Sequence, residues 1–232
     1  DILDRTVFNG LRTSVVFEQS SLNRKQYANR GHQLLISANY STGKENYTPG
    51  FTNAANLTAN NQYSIFRAFR EWGHFKLSDE RYLFQSKKYT LGYLAEGVIS
   101  NQPLYANYYA TLLSAPAFYP LQDSRSLFLE KFRASTYLAG GIKNIFQLKK
   151  NLELRVEGYL FLPYKEFEQV GLQGVKRGKA FNSLSHAATG GLVYHTPVGP
   201  ISFSYNLYND PIKRSGVLLH LGYLIYNKRS IE

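Results

Sequence analysis

A chain of 232 residues has room for one large β domain or two small ones, and its 44% apolar content is that of a folded protein. Cys and Met are both absent, which excludes disulfides, thiol catalysis and thiolate metal centres. The 27 Lys and Arg against 16 Asp and Glu give a net charge of +11, but the basic residues form scattered pairs such as Lys87–Lys88, Lys149–Lys150 and Lys213–Arg214, with no basic helical stripe or nucleic-acid motif, so no nucleic-acid partner is expected.

Alternation of apolar and polar residues predicts strands over 7–19, 33–41, 89–100, 152–162, 187–196, 201–207 and 217–226. Two more are expected over 66–77, where the alternation is poor enough to suggest a bulge, and 137–148. No run approaches the roughly 18–20 continuous apolar residues of a membrane helix, which excludes a spanning helix but not a spanning barrel. About nine strands result, several of them about ten residues or longer, where a globular strand has about five or six.

The links between them alternate in length. The 20–31 link is medium, those at 45–64, 102–132 and 166–184 are long, and those at 84–88, 149–151, 197–199 and 209–215 are short, a pattern that suits a transmembrane barrel, although a β-sandwich accepts the same alternation of side chains. Thr196-Pro197-Val198-Gly199-Pro200 reads as a tight turn between two antiparallel strands. Beyond it Ile201, Phe203, Tyr205 and Leu207 share one face, and Val217, Leu219, Leu221, Tyr223 and Ile225 repeat the pattern; both sets are expected to face lipid if the sheet is a barrel. Tyr40, Tyr89, Tyr194 and Tyr226, near predicted strand ends, fit an interfacial aromatic girdle. The 102–131 link is too long and too apolar for a loop in water, and is expected to fold over or into the barrel.

The segments 87–118 and 132–161, the run HTPVGPISFSYN (195–206) and the ending GVLLHLGYLIYNKRS (216–230) resemble the C-terminal barrel of bacterial patatin-like outer-membrane proteins. Such barrels are similar to those of the bacterial surface antigen superfamily, which includes the BamA- and TamA-type insertases. The resemblance implies an all-β fold: an antiparallel transmembrane β-barrel of sixteen strands, of which residues 1–232 form the later part. It further implies a bacterial outer-membrane location, contact with outer-membrane lipid and with the barrel-assembly machinery during insertion, and catalytic and periplasmic domains upstream in the same protein. An arginine from a lumen-entering loop pairs with a wall carboxylate in that superfamily. Arg133 is the counterpart here, with Glu153 or Glu157 as its expected partner. His220, Gly222 and Ile225 match the spacing of the barrel export signal, although the chain runs on to Glu232 instead of ending in an aromatic residue.

The enzyme chemistry of patatin-like proteins needs a Gly-x-Ser-x-Gly elbow and an Asp-Gly pair, and this sequence has neither. No catalytic residue is therefore assigned to the chain. The five histidines lack metal-ligand spacing, so no metal or other cofactor is expected. The start at Asp1 without Met or a signal peptide suggests a processed product or an excerpt of a longer protein. The function this implies is anchoring, and helping to deliver, an upstream lipid acyl hydrolase. The competing class is an insertase or translocation pore with no enzyme attached.

Overall fold

The computed structural model describes residues 4–50, 66–171 and 173–223. The described residues form eleven strands: β1 (Arg5–Ser20), β2 (His32–Thr48), β3 (Phe66–Gln85), β4 (Tyr89–Ser100), β5 (Tyr137–Lys149), β6 (Leu152–Pro163), β7 (Lys165–Val170), β8 (Gly174–Ala180), β9 (Ser185–Thr196), β10 (Gly199–Tyr208) and β11 (Ser215–Leu221). One seven-residue helix, α1 (Tyr108–Ser114), interrupts them. Nine strands make a single antiparallel sheet in the order β1-β2-β3-β4-β5-β6-β9-β10-β11, and β7-β8 is a separate hairpin. The fold is thus all-β, with a large antiparallel meander.

Strands pair with their neighbours in sequence, except that β6 pairs with β9 across the inserted hairpin. This up-and-down order places 86–88, 150–151 and 197–198 at one end of the sheet. The longer links 101–136, 164–184 and 209–214 lie at the other end, where β2 also ends and β3 begins, and the 21–31 link is a longer connection at the short-turn end. The tight 197–198 turn is held by Thr196 Oγ1 donating to the Gly199 carbonyl at 2.6 Å. Gly199 has φ +132°, and a Cβ there would lie 2.9 Å from Gly222 Cα, so the position is closed to other residues on both counts.

Several boundaries differ from the sequence expectation. β2 continues to Thr48 and β3 to Gln85, because Lys44-Glu45-Asn46 and Ser78-Asp79-Glu80 keep the ladder without an apolar alternation to mark it. The bulge in β3 falls between Tyr82 and Phe84, beyond the 66–77 segment. The expected 166–184 loop contains the β7-β8 hairpin, and Tyr40 sits in mid-strand and not near an end. Tyr226 and Ile225 lie outside the described residues.

The two faces of the sheet differ in character. Leu11, Val15, Phe75, Leu138, Ile142, Leu160, Phe203 and Leu219 stand exposed on one face. The opposite face carries Glu45, Arg155, Glu153, Ser202, Asn206 and His220, all buried. Opposed residues point the same way, so the pairs Lys143–Glu157, Ile145–Arg155 and Thr189–Asn206 lie on this inner face in register. Segments of the chain itself cover it. Phe118, Leu121, Leu129 and Phe132 of the 101–136 insert pack with Val98, Tyr137, Tyr159, Phe161, Ala187 and Tyr208 of the sheet into the main core.

The sheet is curled. β2 and β10 are six strand spacings apart in the sheet order, about 29 Å if flat at about 4.8 Å each. Gln33 of β2 nevertheless lines one cavity of about 170 Å³ together with Ser202, Ser204 and Asn206 of β10, and the Tyr27 hydroxyl in the link before β2 meets Ser202 at 2.7 Å. Among the described residues, β1 and β11 make no pairing with each other.

Candidate functional site

The inner face is a sequence of ion pairs and hydroxyls built by alternate positions of neighbouring strands. Glu153 is fully buried and central. Arg24 Nη1 reaches its Oε1 at 2.8 Å, Asn29 Nδ2 donates to the same oxygen at 2.9 Å, and Arg155 Nη1 lies 3.3 Å from Oε2. His195 Nε2 stands 3.3 Å from Oε1 and 2.9 Å from Arg24 Nη1. Arg155 continues the chain, its Nε donating to Glu157 at 2.9 Å and its terminal nitrogens to the carbonyls of Tyr27 and Ala28 at 3.1 and 3.0 Å. The spacing explains the arrangement: residues 153, 155 and 157 share a face in an extended strand, so one arginine is bracketed by two carboxylates.

Further along the same face Lys143 Nζ meets Glu80 at 2.7 Å, and the hydroxyls of Tyr82 and Tyr159 donate to Glu80 and Glu157 at 2.8 and 2.6 Å. Lys76 pairs with Glu96 at 3.2 Å, and Tyr137 donates to the same carboxylate at 2.7 Å. A charge desolvated without a partner costs several kcal/mol, so such pairing is what permits charged residues on a covered face.

Two segments enter over this face from opposite ends. The 21–31 link comes from the short-turn end and supplies Arg24, Tyr27, Ala28 and Asn29. The Tyr27 ring also stands 6.0 Å from that of His220, with its hydroxyl 3.3 Å from Nδ1. The 101–136 insert comes from the long-loop end. Asn107 caps α1 by accepting from Ala110 N at 3.2 Å, the Ala106 amide donates to the buried Glu45 at 2.8 Å, and the Lys131 amide donates to Asp210 at 2.9 Å. The insert therefore bridges β2 and the link after β10. Burial in it pushes the Tyr105 and Tyr108 phenols up to about 12, and burial followed by the charge of Asp210 raises the Glu130 carboxyl.

Arg133 does not pair with Glu153 or Glu157. Its guanidinium lies 5.2 Å from the Phe128 ring centre and donates to the Leu113 carbonyl at 3.3 Å. Strand direction is the reason. Arg133 just precedes Tyr137, which opposes Pro163 at the far end of β6. Glu157 and Glu153 lie six and ten residues down that strand, about 20 and 33 Å away. Arg155 pairs with both Glu153 and Glu157 instead, and Arg24 with Glu153. The Glu153-Arg155-Glu157 pattern was a readable signal for the first, while nothing in the polar 21–31 stretch marks Arg24 as an inward residue.

Ile201, Phe203, Tyr205 and Leu207 stand on the outer face of β10, opposite Leu221, Leu219, Val217 and Ser215 of β11; Phe203 and Leu219 are 54% and 65% exposed. Tyr223 is exposed as well. Of the export-signal residues, His220 is buried on the inner face, Gly222 has φ +82° and Ile225 lies outside the described residues. No group of three metal-ligating side chains occurs among the described residues. The Ser202 hydroxyl contacts a tyrosine and not a base, and the surrounding groups act as a brace between segments. No protein-family model, curated protein or solved structure matches the chain.

Proposed function

We propose that this chain is a wall segment of a bacterial outer-membrane β-barrel, closed by further strands, whose outer face meets lipid. In this reading it anchors, and helps deliver, a patatin-like lipid acyl hydrolase carried upstream in the same protein. The observation that carries the membrane part is the inverted polarity of the sheet: contiguous apolar side chains exposed on one face, paired charges covered on the other. In water so much exposed apolar surface on one face would drive association, whereas in a bilayer it is the required surface. The aromatic group Phe84, Tyr89 and Phe146, with ring centres 6.2 and 5.2 Å apart, sits beside the short turns where an interfacial belt belongs. The hydrolase part is supported by the resemblance of the 87–118, 132–161 and 195–206 segments to patatin-like barrels.

Spin labels at Phe203 and Leu219, in the full-length protein reconstituted in bilayers, are expected to be reached by a lipid-soluble quencher, and labels at Ser202 and Asn206 are not. Equal quenching at both pairs would overturn the membrane reading. Lipid acyl hydrolysis by the same preparation, lost with an upstream Gly-x-Ser-x-Gly serine, tests the enzyme part. A pore or insertase would conduct or insert barrels without such hydrolysis.

A further inference from the structure

The pairs Lys87–Lys88 and Lys149–Lys150 are far apart in sequence, but the sheet brings them to one corner. β4 and β5 are neighbours there: Tyr89 opposes Phe146, and the Gln147 amide donates to the Lys88 carbonyl at 2.8 Å. All four lysines are exposed, and none forms an ion pair among the described residues. Composition is the reason, since no Asp or Glu occurs in 81–95 or 131–152, the stretches that flank the two turns. The carboxylate that follows, Glu153, is fully buried and already held by Arg24, Arg155 and His195. Asp123, Glu130, Glu166, Glu168 and Asp210 all lie in the links and the hairpin of the opposite end.

The second feature of the corner is apolar. Phe84, Tyr89 and Phe146 form their aromatic group beside the lysines, and Leu83 and Leu148 stand exposed next to them. A lysine beside such a surface lays its stem along it and holds its ammonium at the depth of lipid headgroups. Four like charges so close together repel one another, and a fixed anionic surface relieves that repulsion.

We infer that this corner binds anionic phospholipid in the leaflet at the short-turn end. The inference rests on the membrane reading above and adds to it the class of headgroup that this end of the sheet selects. The recognised group is a phosphodiester whose charge is not cancelled: phosphatidylglycerol keeps its negative charge, whereas the choline of phosphatidylcholine neutralises it. Lysine ammonium groups meet such a surface as point charges, each adds to the attraction, and salt screens it.

This chain has no cysteine, so Leu148→Cys gives it a single site for a bimane label beside the lysines, and Ile201→Cys gives a control site on the outer face of β10 at the same end. The full-length protein, with any upstream cysteine replaced, is reconstituted in phosphatidylcholine vesicles that contain a varied fraction of brominated lipid. At low salt, brominated phosphatidylglycerol is expected to half-quench the Leu148→Cys label at a fraction about three-fold or more below that needed with brominated phosphatidylcholine. The Ile201→Cys label should respond equally to both. Replacing Lys87, Lys88, Lys149 and Lys150 together by Gln should abolish the preference, as should salt at about 0.5 M. If that variant does not insert, Lys87→Gln with Lys88→Gln alone should reduce it. Equal quenching of the Leu148→Cys label by both lipids would overturn the inference and leave the membrane reading standing, and so would a preference that survives the lysine variants. Quenching of neither label by either lipid would overturn the membrane reading and the inference with it.

Discussion

The hydroxyls of Tyr27 and Ser202 meet at 2.7 Å although 175 residues separate them in sequence. This contact ties the link after the first strand to the far side of the sheet, and it holds the curl that brings the polar face into an enclosed space. Tyr27→Phe keeps the ring beside His220 but leaves Ser202 and His220 without their shared partner. The expected loss is about 1–3 kcal/mol, read from denaturant unfolding in micelles.

Arg155 is bracketed by Glu153 and Glu157, and its side chain is only 6% exposed. Arg155→Met should cost about 3–5 kcal/mol, because two covered carboxylates lose their common cation. Arg24→Ala removes a partner whose side chain is 32% exposed and leaves Arg155 on Glu153, so a loss of about 1 kcal/mol or less is expected. Equal losses in the two variants would mean that the ion pairs do not act as a hierarchy.

Leu221 is exposed on the outer face at 67%. On a protein in water Leu221→Arg would change stability by less than about 0.5 kcal/mol. Near the midplane of a bilayer the same change should cost about 2–4 kcal/mol. Reversible folding into vesicles, with the variant and the parent compared directly, separates the two cases.

The 101–136 insert covers the inner face of β4, β5, β6, β9 and β10 through Phe118, Leu121 and Phe132. If the sheet is part of the proposed membrane barrel, deletion of Tyr105 to Phe128 in the full-length protein should raise its conductance in a planar bilayer. Unchanged conductance would mean that the insert does not obstruct a pore.

Tyr105 and Tyr108, both in the insert, have phenols raised to about 12 by burial. The sign follows from linkage: with a folded-state value above the ordinary 10, each neutral phenol contributes stability that is complete below pH 10 and lost as pH rises towards 12. The insert should therefore loosen in alkali, with a late phase in phenolate absorbance. Tyr105→Phe should reduce the amplitude of that phase, and a titration complete by about pH 10 would contradict the burial.

Strand positions were readable wherever apolar side chains alternate, and the 89–100 expectation coincides with β4. The β7-β8 hairpin was not readable, because KEFEQV and GVKRGKA are mostly polar and among them only Phe167 is buried, against α1. The inward set of β6 was visible in the charges at 153, 155 and 157, but their partners were not. Arg24 and Asn29 reach Glu153 across 129 and 124 residues, and a short-range pattern carries no information about such closures. The same limit explains Arg133, whose distance from Glu153 follows from strand direction and not from spacing in sequence.

The near-sequential strand order has a kinetic consequence. Each hairpin of the meander can form from neighbours in the chain, so the sheet can grow by addition at an edge, with the largest loop-closure costs at the β4–β5 pairing across the 101–136 insert and the β6–β9 pairing across the inserted hairpin. The bonds from Tyr27 to Ser202 and His220, spanning 175 and 193 residues, have nothing to close upon until β10 and β11 are in place. The 21–31 segment should thus dock last during folding and undock first during unfolding, so that the amides of Tyr27 and Ala28 exchange with solvent hydrogen well before those at the centre of β5 and β6.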